Sequence, residues 1–201
     1  MIIGITPVRI SFAGGGTDMP EFYEKYGGRV LSTTINRFTY VIIGDRSDNA
    51  FQAFSPDFQK HYKPTKFEHI EIEDGVEIAA SIIKYLKYKK GTNVILFSDA
   101  PGGSGLGSSS SLAVNLVNTI SNIMGKKIDR RKNAETAFKI ERDILHWPIG
   151  KQDEYSSSFG GMNFFKFYKN KVVVEPVKLS KSSNSELEKN LLLFFVGKTR
   201  N

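Results

Sequence analysis

The sequence predicts an α+β domain, in which antiparallel hairpins and helices share one chain without the strict βαβ alternation of a parallel fold. Long runs of β-branched and aromatic residues fill the first third of the chain. Segments in its middle place apolar residues at helical spacing. Near its end, strand-like segments flank the short polar turn "KNK" and predict a hairpin.

The individual elements follow from these patterns. Strands are predicted where β-forming residues cluster, at residues 1–13, 29–46, 51–55, 66–73, 93–98, 160–168, 171–179 and 190–201. Helices are predicted at residues 19–27, 75–90, 112–125 and 129–145, with Asp129 as the N-cap of the last one and Gly125 ending the one before it. Polar loops are predicted at residues 152–155 and 180–186.

The composition limits the classes of protein to consider. The chain has 201 residues, a formal net charge of +7 and no cysteine, which fits a cytoplasmic globular domain. No apolar run approaches the ~20 residues that span a bilayer, so no membrane partner is expected. The histidines lack metal-ligand spacing, so no zinc site is expected. Nucleic-acid binding is one interpretation of the charge, but scattered basic residues equally favour small polyanions such as nucleotides and sugar phosphates.

The segment "DAPGGSGLGSSSS", residues 99–111, predicts a site for an anion. It lies between a predicted buried strand and a predicted helix. The backbone N–H groups at a helix start lack intrahelical partners, and the helix dipole adds positive potential there. Glycines let the backbone wrap closely around a phosphate, and serines cap the helix, bind phosphate oxygens or ligate Mg²⁺.

Two common phosphate-loop patterns do not fit this segment. A P-loop needs a lysine directly after its last glycine, and here Ser108 follows Gly107. The dinucleotide pattern GxGxxG fails because Gly103, Gly105 and Gly107 are two residues apart. The remaining interpretations are a phosphate loop built from a proline, a glycine-rich turn and "GLGSSS", or a flexible loop followed by a serine-capped helix.

Three segments of the chain resemble motifs of the GHMP kinases, in the order in which that family carries them. "PGGSGLGSSSS" (residues 101–111) resembles the family's ATP-binding motif, which reads roughly P-x-x-x-G-L-G-S-S-A. "PVRISFAGGGTDMPEFY" (residues 7–23) is similar to the first motif, which shapes the sugar pocket. "ERDILHWPIGKQDEYSSSFGGMNFFKFY" (residues 141–168) is similar to the segment that carries a metal-ligand carboxylate and the catalytic Asp. The combination further resembles the branch of heptose 7-phosphate kinases and fucose-type sugar kinases.

The resemblance implies a fold and an activity. It implies a two-layer domain, with a mixed sheet and helices on one side, and ATP- and Mg²⁺-dependent phosphoryl transfer to a hydroxyl of a sugar or sugar phosphate. The alternatives are a kinase for fucose, another sugar or an isoprenoid alcohol, and a non-catalytic nucleotide- or sugar-binding fragment. Residues 1–201 correspond to the N-terminal domain of the family, and nothing matches its C-terminal domain. A homo-oligomer or a separate C-terminal half is therefore an expected partner, and nucleic acid is not.

The resemblance also assigns residues. The ATP phosphates would be bound by Pro101, Gly102, Gly103, Ser104, Gly105, Leu106, Gly107, Ser108, Ser109 and Ser110. Mg²⁺ would be held by Ser109 and Glu141. Asp153 would orient or deprotonate the acceptor hydroxyl, while Lys151 or Arg9 keeps it ionised and neutralises the transferring group. The acceptor would be bound by Arg9, Gly14, Gly15, Gly16, Thr17, Asp18 and Asp153.

Several of these residues have a purely structural interpretation as well. Ser108 is a candidate N-cap for the helix that follows it. Glu141 lies on an apolar stripe, so an Arg or Lys partner would satisfy its buried charge without any metal. Asp18 is a candidate cap for the helix predicted at 19–27, in which case residues 14–16 form an ordinary turn at the end of a strand.

Overall fold

The computed structural model describes residues 1–72, 75–195 and 197. Within these residues, the strands are β1 Ile2–Ala13, β2 Gly28–Asp45, β3 Ala50–Ser55, β4 Lys60–Lys66, β5 Thr92–Ser98, β6 Met162–Tyr168 and β7 Lys171–Pro176. The helices are α1 Pro20–Tyr26, α2 Glu77–Leu86, α3 Ser108–Ile123, α4 Arg130–Lys139, α5 Gln152–Phe159 and α6 Lys181–Lys189. None of these helices combines the length and the apolar character needed to cross a membrane.

The strands form one mixed sheet in the order β4-β3-β5-β2-β6-β7, with β1 paired to β2. Strand β3 runs parallel to β5, and the other pairs are antiparallel. The long strand β2 holds the sheet together, because it pairs with β6 through residues 28–33 and with β5 through residues 39–45. The loop that follows β5 therefore leaves the sheet near the point where β2 changes partner.

The helical layer covers one face of the sheet. Helix α3 packs on β1, β2 and β5, and α5 packs on β1 and β2. Alternate strand residues such as Val41, Leu96 and Phe165 point into the core between the two layers and are buried. The opposite face carries exposed side chains such as Ile3 and Phe54. The predicted α+β fold, with a mixed sheet and helices on one side, is confirmed.

Five predictions of local structure are wrong. Strand β4 ends at Lys66, and the segment predicted as a strand at 66–73 instead begins with a 3-10 turn at Phe67–His69, which turns the buried Ile70 into the core. Residue 73 lies outside the described residues. Helix α2 ends at Leu86 rather than at residue 90, because Lys87 adopts a left-handed conformation (φ 56°).

The other corrections concern the second half of the chain. The loop predicted at 180–186 is helix α6, because the hydroxyl of Ser180 caps it by accepting a hydrogen bond from the N–H of Ser183. The loop predicted at 152–155 is the first turn of α5. Residues 191–195 are exposed and form no strand, since no neighbouring strand pairs with them, and residues 196 and 198–201 of that prediction lie outside the described residues.

Candidate active site

The glycine-rich loop between β5 and α3 has the backbone conformation that its sequence predicts. Gly103, Gly105 and Gly107 have φ angles of 69°, 75° and 75°, which side-chain-bearing residues rarely adopt. Gly107 is the N-cap of α3, and no side chain caps this helix. The interpretation of Ser108 as the cap is therefore wrong. The first N–H groups of α3 keep their capacity to bind an acceptor from outside the helix.

One cleft of about 760 Å³ is lined by most of the predicted phosphate residues, both predicted metal ligands and Asp153, while Pro101, Arg9 and Lys151 are not among its lining residues. Its lining includes Gly102 and the following residues through Ser110, and also Glu141 and Asp153. Trp147 and the two residues after it form a further part of the lining. Chain segments that are far apart in the sequence therefore meet at a single concave surface.

Arg9 connects two walls of this cleft. It lies on β1 beside an irregularity in the pairing with β2, and it is only 8% exposed. Its N–H donates to the carbonyl of Leu106 (3.1 Å), and its Nη1 donates to the carbonyl of Gly105 (2.6 Å). Its Nε donates to Oδ1 of Asp153 (2.7 Å), with a second ion-pair contact from Nη2. The arginine therefore links the glycine-rich loop to the predicted catalytic carboxylate.

The loop and α5 also approach each other directly. A Cβ at Gly107 would lie 2.8 Å from Oδ2 of Asp153, so a larger residue there would displace the carboxylate. Glycine at this position satisfies two requirements at once, a positive φ and the close approach of Asp153.

Asp18 fixes the start of α5, the helix that carries Asp153. Its Oδ2 accepts a hydrogen bond from the N–H of Gln152 (3.0 Å), and its Oδ1 accepts from Gln152 Nε2 (3.2 Å) and from the N–H of Gly16 (3.0 Å). A Cβ at Gly150 would lie 2.0 Å from Oδ2, so only glycine permits this approach. Asp18 does not cap α1, whose N-cap is Met19, and that interpretation is wrong.

The turn at residues 14–17 serves mainly to hold the chain against β2. A Cβ at Gly14 would lie 1.8 Å from the carbonyl oxygen of Arg29, so this glycine is required by packing. The hydroxyl of Thr17 donates to the carbonyls of Gly14 and Arg29. Gly15 lies near Gln152 without a clash, and a Cβ at Gly16 would meet no atom within 4 Å. Of the three glycines, Gly16 borders open space and Gly14 does not.

Lys151 makes its ion pair on the α4 side of the cleft. Its Nζ pairs with both carboxylate oxygens of Glu135 on α4 (3.0 and 2.9 Å). It also lies 4.9 Å above the ring of Phe138. Arg9, the other predicted cation, contacts Asp153 directly, whereas support of Asp153 by Lys151 stays a prediction.

Glu141 lies where α4 widens into a π-turn at Ile140–Ile144, a local irregularity that often occurs at functional sites. Its side chain is completely buried, and its Oε1 accepts a hydrogen bond from the hydroxyl of Ser110 (2.9 Å). Burial raises the pKa of Glu141 to about 8. Among the described residues, no ion pair satisfies it, so the expected Arg or Lys partner is wrong.

Sequence reasoning missed a second buried carboxyl group, that of Glu154. It is completely buried, and neither oxygen makes a hydrogen bond that meets normal geometry. Burial, together with the charges of Glu141 and Asp153, raises its pKa well above the ordinary value. The polar sequence of residues 152–155 predicts a loop, and loop side chains are normally exposed. Nothing in the local pattern therefore indicates that Glu154 is buried.

The residues at this wall fit a divalent cation. Oε2 of Glu141 is buried and accepts no hydrogen bond from an N–H or a hydroxyl of the described residues, although the carboxyl group is close enough to share a proton with Glu154. The hydroxyls of Ser104 and Ser108 are also buried without a partner among those residues. The exposed Ser109 lines the same cleft. Such oxygen donors suit Mg²⁺. No group of three or more His, Asp or Glu side chains within the described ranges could hold a metal, so water and phosphate oxygens would have to complete its coordination, as Mg²⁺ sites usually require.

Comparisons with known proteins agree with this architecture. Residues 69–161 match the family described as GHMP kinases N terminal domain. A D-glycero-alpha-D-manno-heptose 7-phosphate kinase of Campylobacter jejuni is 34% identical over 201 aligned positions, which cover 97% of this chain and 59% of that protein. A galactokinase of Lacticaseibacillus casei is 29% identical over 78% of this chain and 41% of that protein.

A solved structure extends the comparison to three dimensions. The crystal structure of a D-glycero-D-manno-heptose 1-phosphate kinase from Bacteroides thetaiotaomicron superposes with a TM-score of 0.87 at 28% identity. The match covers 94% of this chain and 63% of that one. The chain thus spans little more than half the length of these heptose phosphate kinases.

Proposed function

Because this chain carries a GHMP kinase N-terminal domain, we propose that it is the nucleotide- and acceptor-binding part of a kinase that uses ATP and Mg²⁺. The kinase transfers a phosphoryl group to a hydroxyl of a sugar or sugar phosphate, in the cytoplasm. A heptose 7-phosphate is the first choice of acceptor, since a kinase of that name is 34% identical to this chain.

One observation carries the proposal: the glycine-rich loop, Glu141 and Asp153 line a single cleft. A flexible loop and two structural carboxylates would have no reason to share one concave surface. Phosphoryl transfer requires that arrangement, because the protein's task is to align the reactants and to balance the charge of the phosphates.

Each part of the cleft suits one task. The N–H groups of the loop and of the first turn of α3 suit phosphate oxygens. Asp153 suits the acceptor hydroxyl, from which it would take a proton, and Arg9 holds that carboxylate in place. Glu141, with Ser109 or Ser110, would hold Mg²⁺, which when bound balances the negative charge of the phosphates.

The identity of the acceptor is the most detailed part of the proposal. The open space at Gly16, next to Gly15, which lies near Gln152, supports an acceptor that reaches beside the start of α5. Because a galactokinase is also among the relatives, galactose belongs in any panel of acceptors. Fucose and an isoprenoid alcohol such as mevalonate complete that panel.

An ADP-release assay on the protein at its full natural length, with ATP, Mg²⁺ and this panel, tests the proposal. We expect turnover with a sugar or sugar phosphate, and we expect Asp153→Asn to reduce kcat by roughly 10²–10⁴-fold because a general base is lost. The affinity for ATP should stay unchanged in that variant.

The matched control is Asp143→Asn, which changes an exposed carboxylate two residues beyond Glu141. It should leave kcat unchanged. Turnover that survives Asp153→Asn would contradict the assigned role of Asp153. Absence of both ATP binding and ADP release in the wild type would reject the kinase proposal itself.

A further inference from the structure

A second cleft, of about 630 Å³, lies between α4 and the hairpin of β6 and β7. Its walls come from the first turns of α4, the residue before α5 and the turn between β6 and β7. The lining residues are Arg131, Glu135, Lys151, Lys169, Asn170, Lys171 and Val172. None of them lines the cleft that holds the glycine-rich loop.

This second cleft is strongly positive. Its lining contains four cations and one carboxylate, so their sum is +3. The carboxylate, Glu135, is already occupied: it accepts hydrogen bonds from Lys151 and from the phenol of Tyr155. It therefore offers little compensation to Arg131, Lys169 or Lys171.

Two of the cations are held in fixed positions. The Nη1 of Arg131 donates to the carbonyl of Val172 (2.6 Å), and the guanidinium also interacts with the phenol of Tyr155. These contacts anchor the guanidinium, which has five N–H donors in all. Lys151 is held between Glu135 and the ring of Phe138, and its side chain is 13% exposed. Positioned cations bind an anion with a smaller loss of conformational entropy than flexible ones.

The sequence of α4 places positive charge at the N-terminus of the helix, where positive charge is unfavourable. Arg130, Arg131 and Lys132 occupy its first turn, and no acidic residue shares that turn. The positive end of the helix dipole lies there, so cations are unfavourable at these positions. Asp129, the N-cap, is the only acidic residue adjacent to this turn in the sequence. Local conflicts of this kind are characteristic of binding sites.

We infer that this cleft binds a small, soluble anion that carries phosphate groups, with a diphosphate as the best match. A charge of +3 remains after the carboxylate of Glu135 is counted, and a diphosphate brings comparable negative charge in a compact shape. The guanidinium of Arg131 suits phosphate oxygens, which it binds through parallel N–H groups. The inference does not depend on the proposed kinase activity, since the two clefts share no residue.

The test uses inorganic pyrophosphate without Mg²⁺, followed by amide chemical shifts and by calorimetry. We expect the amides of Arg131, Asn170 and Lys171 to shift on titration. The double variant Lys169→Ala/Lys171→Ala should weaken this binding by roughly tenfold or more, because each lost charge-assisted hydrogen bond contributes about that much. Both lysines are exposed, so the substitutions should not disturb folding.

The matched control is Lys63→Ala/Lys66→Ala, which removes the same charge from exposed positions on β4. It should leave the affinity for pyrophosphate within about twofold of the wild type. Shifts confined to residues 102–108 would assign pyrophosphate to the first cleft and overturn the inference. Equal weakening in both double variants would overturn it too, since only the overall charge would then matter. A DNA duplex that binds with pyrophosphate-like dependence on Lys169 and Lys171, while pyrophosphate does not, would assign the cleft to nucleic acid instead.

Discussion

The two walls of the first cleft treat negative charge in opposite ways. On one wall, Asp153 is paired with the guanidinium of Arg9, which also binds the glycine-rich loop. Glu141, which lines the other wall, and Glu154, which follows Asp153 on α5 and does not line the cleft, are completely buried. In the part of the chain that the structure describes, neither pairs with a lysine or arginine.

The charge of Asp153 is already balanced by a cation of the protein, whereas the two buried carboxyl groups lack such a cation among residues 1–72, 75–195 and 197. A paired carboxylate such as Asp153 is held in one position before any ligand arrives, which is what an oriented base requires. Two buried carboxyl groups without a cation are unfavourable when ionised, so they retain a proton or take up a cation. The raised pKa of both groups expresses this cost.

Removing the ion pair between Arg9 and Asp153 should have the largest effect on stability. Arg9→Met removes one ion-pair partner of Asp153 and the side-chain donor to Gly105, and we expect it to lower the free energy of unfolding by about 2–3 kcal/mol, since hydrogen bonds to charged groups contribute about 1.5–3 kcal/mol. Urea denaturation at pH 7 measures this change. Arg29→Met, at an exposed position on β2, is the control and should change stability by less than about 0.5 kcal/mol. Equal losses in both variants would show that Arg9 has no special role.

A smaller loss of stability is expected when Asp18, which holds the start of α5, is changed. Asp18→Asn replaces one acceptor oxygen by an amide that cannot accept from Gln152, and the cost should be about 1–3 kcal/mol. Because Asp18 sets the start of α5, kcat should fall more than the affinity for ATP.

Asp129→Asn is the control for Asp18→Asn, because Asn caps a helix about as well as Asp. Its stability and kcat should match the wild type. An Asp18→Asn variant that loses stability but keeps its kcat would limit Asp18 to folding.

The buried carboxyl group of Glu154 should make the stability of the protein depend on pH. The raised pKa of Glu154 means that the folded state holds a proton which the unfolded chain releases, so the free energy of unfolding falls as the pH rises above about 4.5 toward the folded-state pKa. Glu154→Gln removes this loss and should be more stable than the wild type at pH 8 by about 1 kcal/mol or more, since one pKa unit is worth about that much.

At pH 4 the difference between Glu154→Gln and the wild type should nearly vanish, because the carboxyl group is then largely protonated in both states. Thermal unfolding between pH 4 and pH 8 measures the trend. Glu186→Gln, exposed on α6, is the control and should show no such trend. A Glu154→Gln variant that is less stable than the wild type at pH 8 would mean that the ionised form is favourable in the folded protein.

Local patterns predicted much of this molecule. The helix predicted at 112–125 and the strands predicted at 1–13 and 29–46 appear close to where the sequence placed them, because helical spacing of apolar residues and clusters of β-forming residues are local signals. The prediction failed at residues 152–155 because helix α5 is short and polar, and its stability comes from outside contacts such as that of Asp18 with Gln152. That failure also concealed Glu154.

The sequence by itself determined the glycine-rich turn, the helix after it and the order of the motifs, because these depend on residues that are neighbours along the chain. Only the tertiary structure decided which charges meet. Lys151 and Asp153 are two residues apart, and a helix turns by about 200° over that interval, so one side chain reaches Glu135 and the other reaches Arg9. Spacing alone contains no information about what lies on either side of the helix.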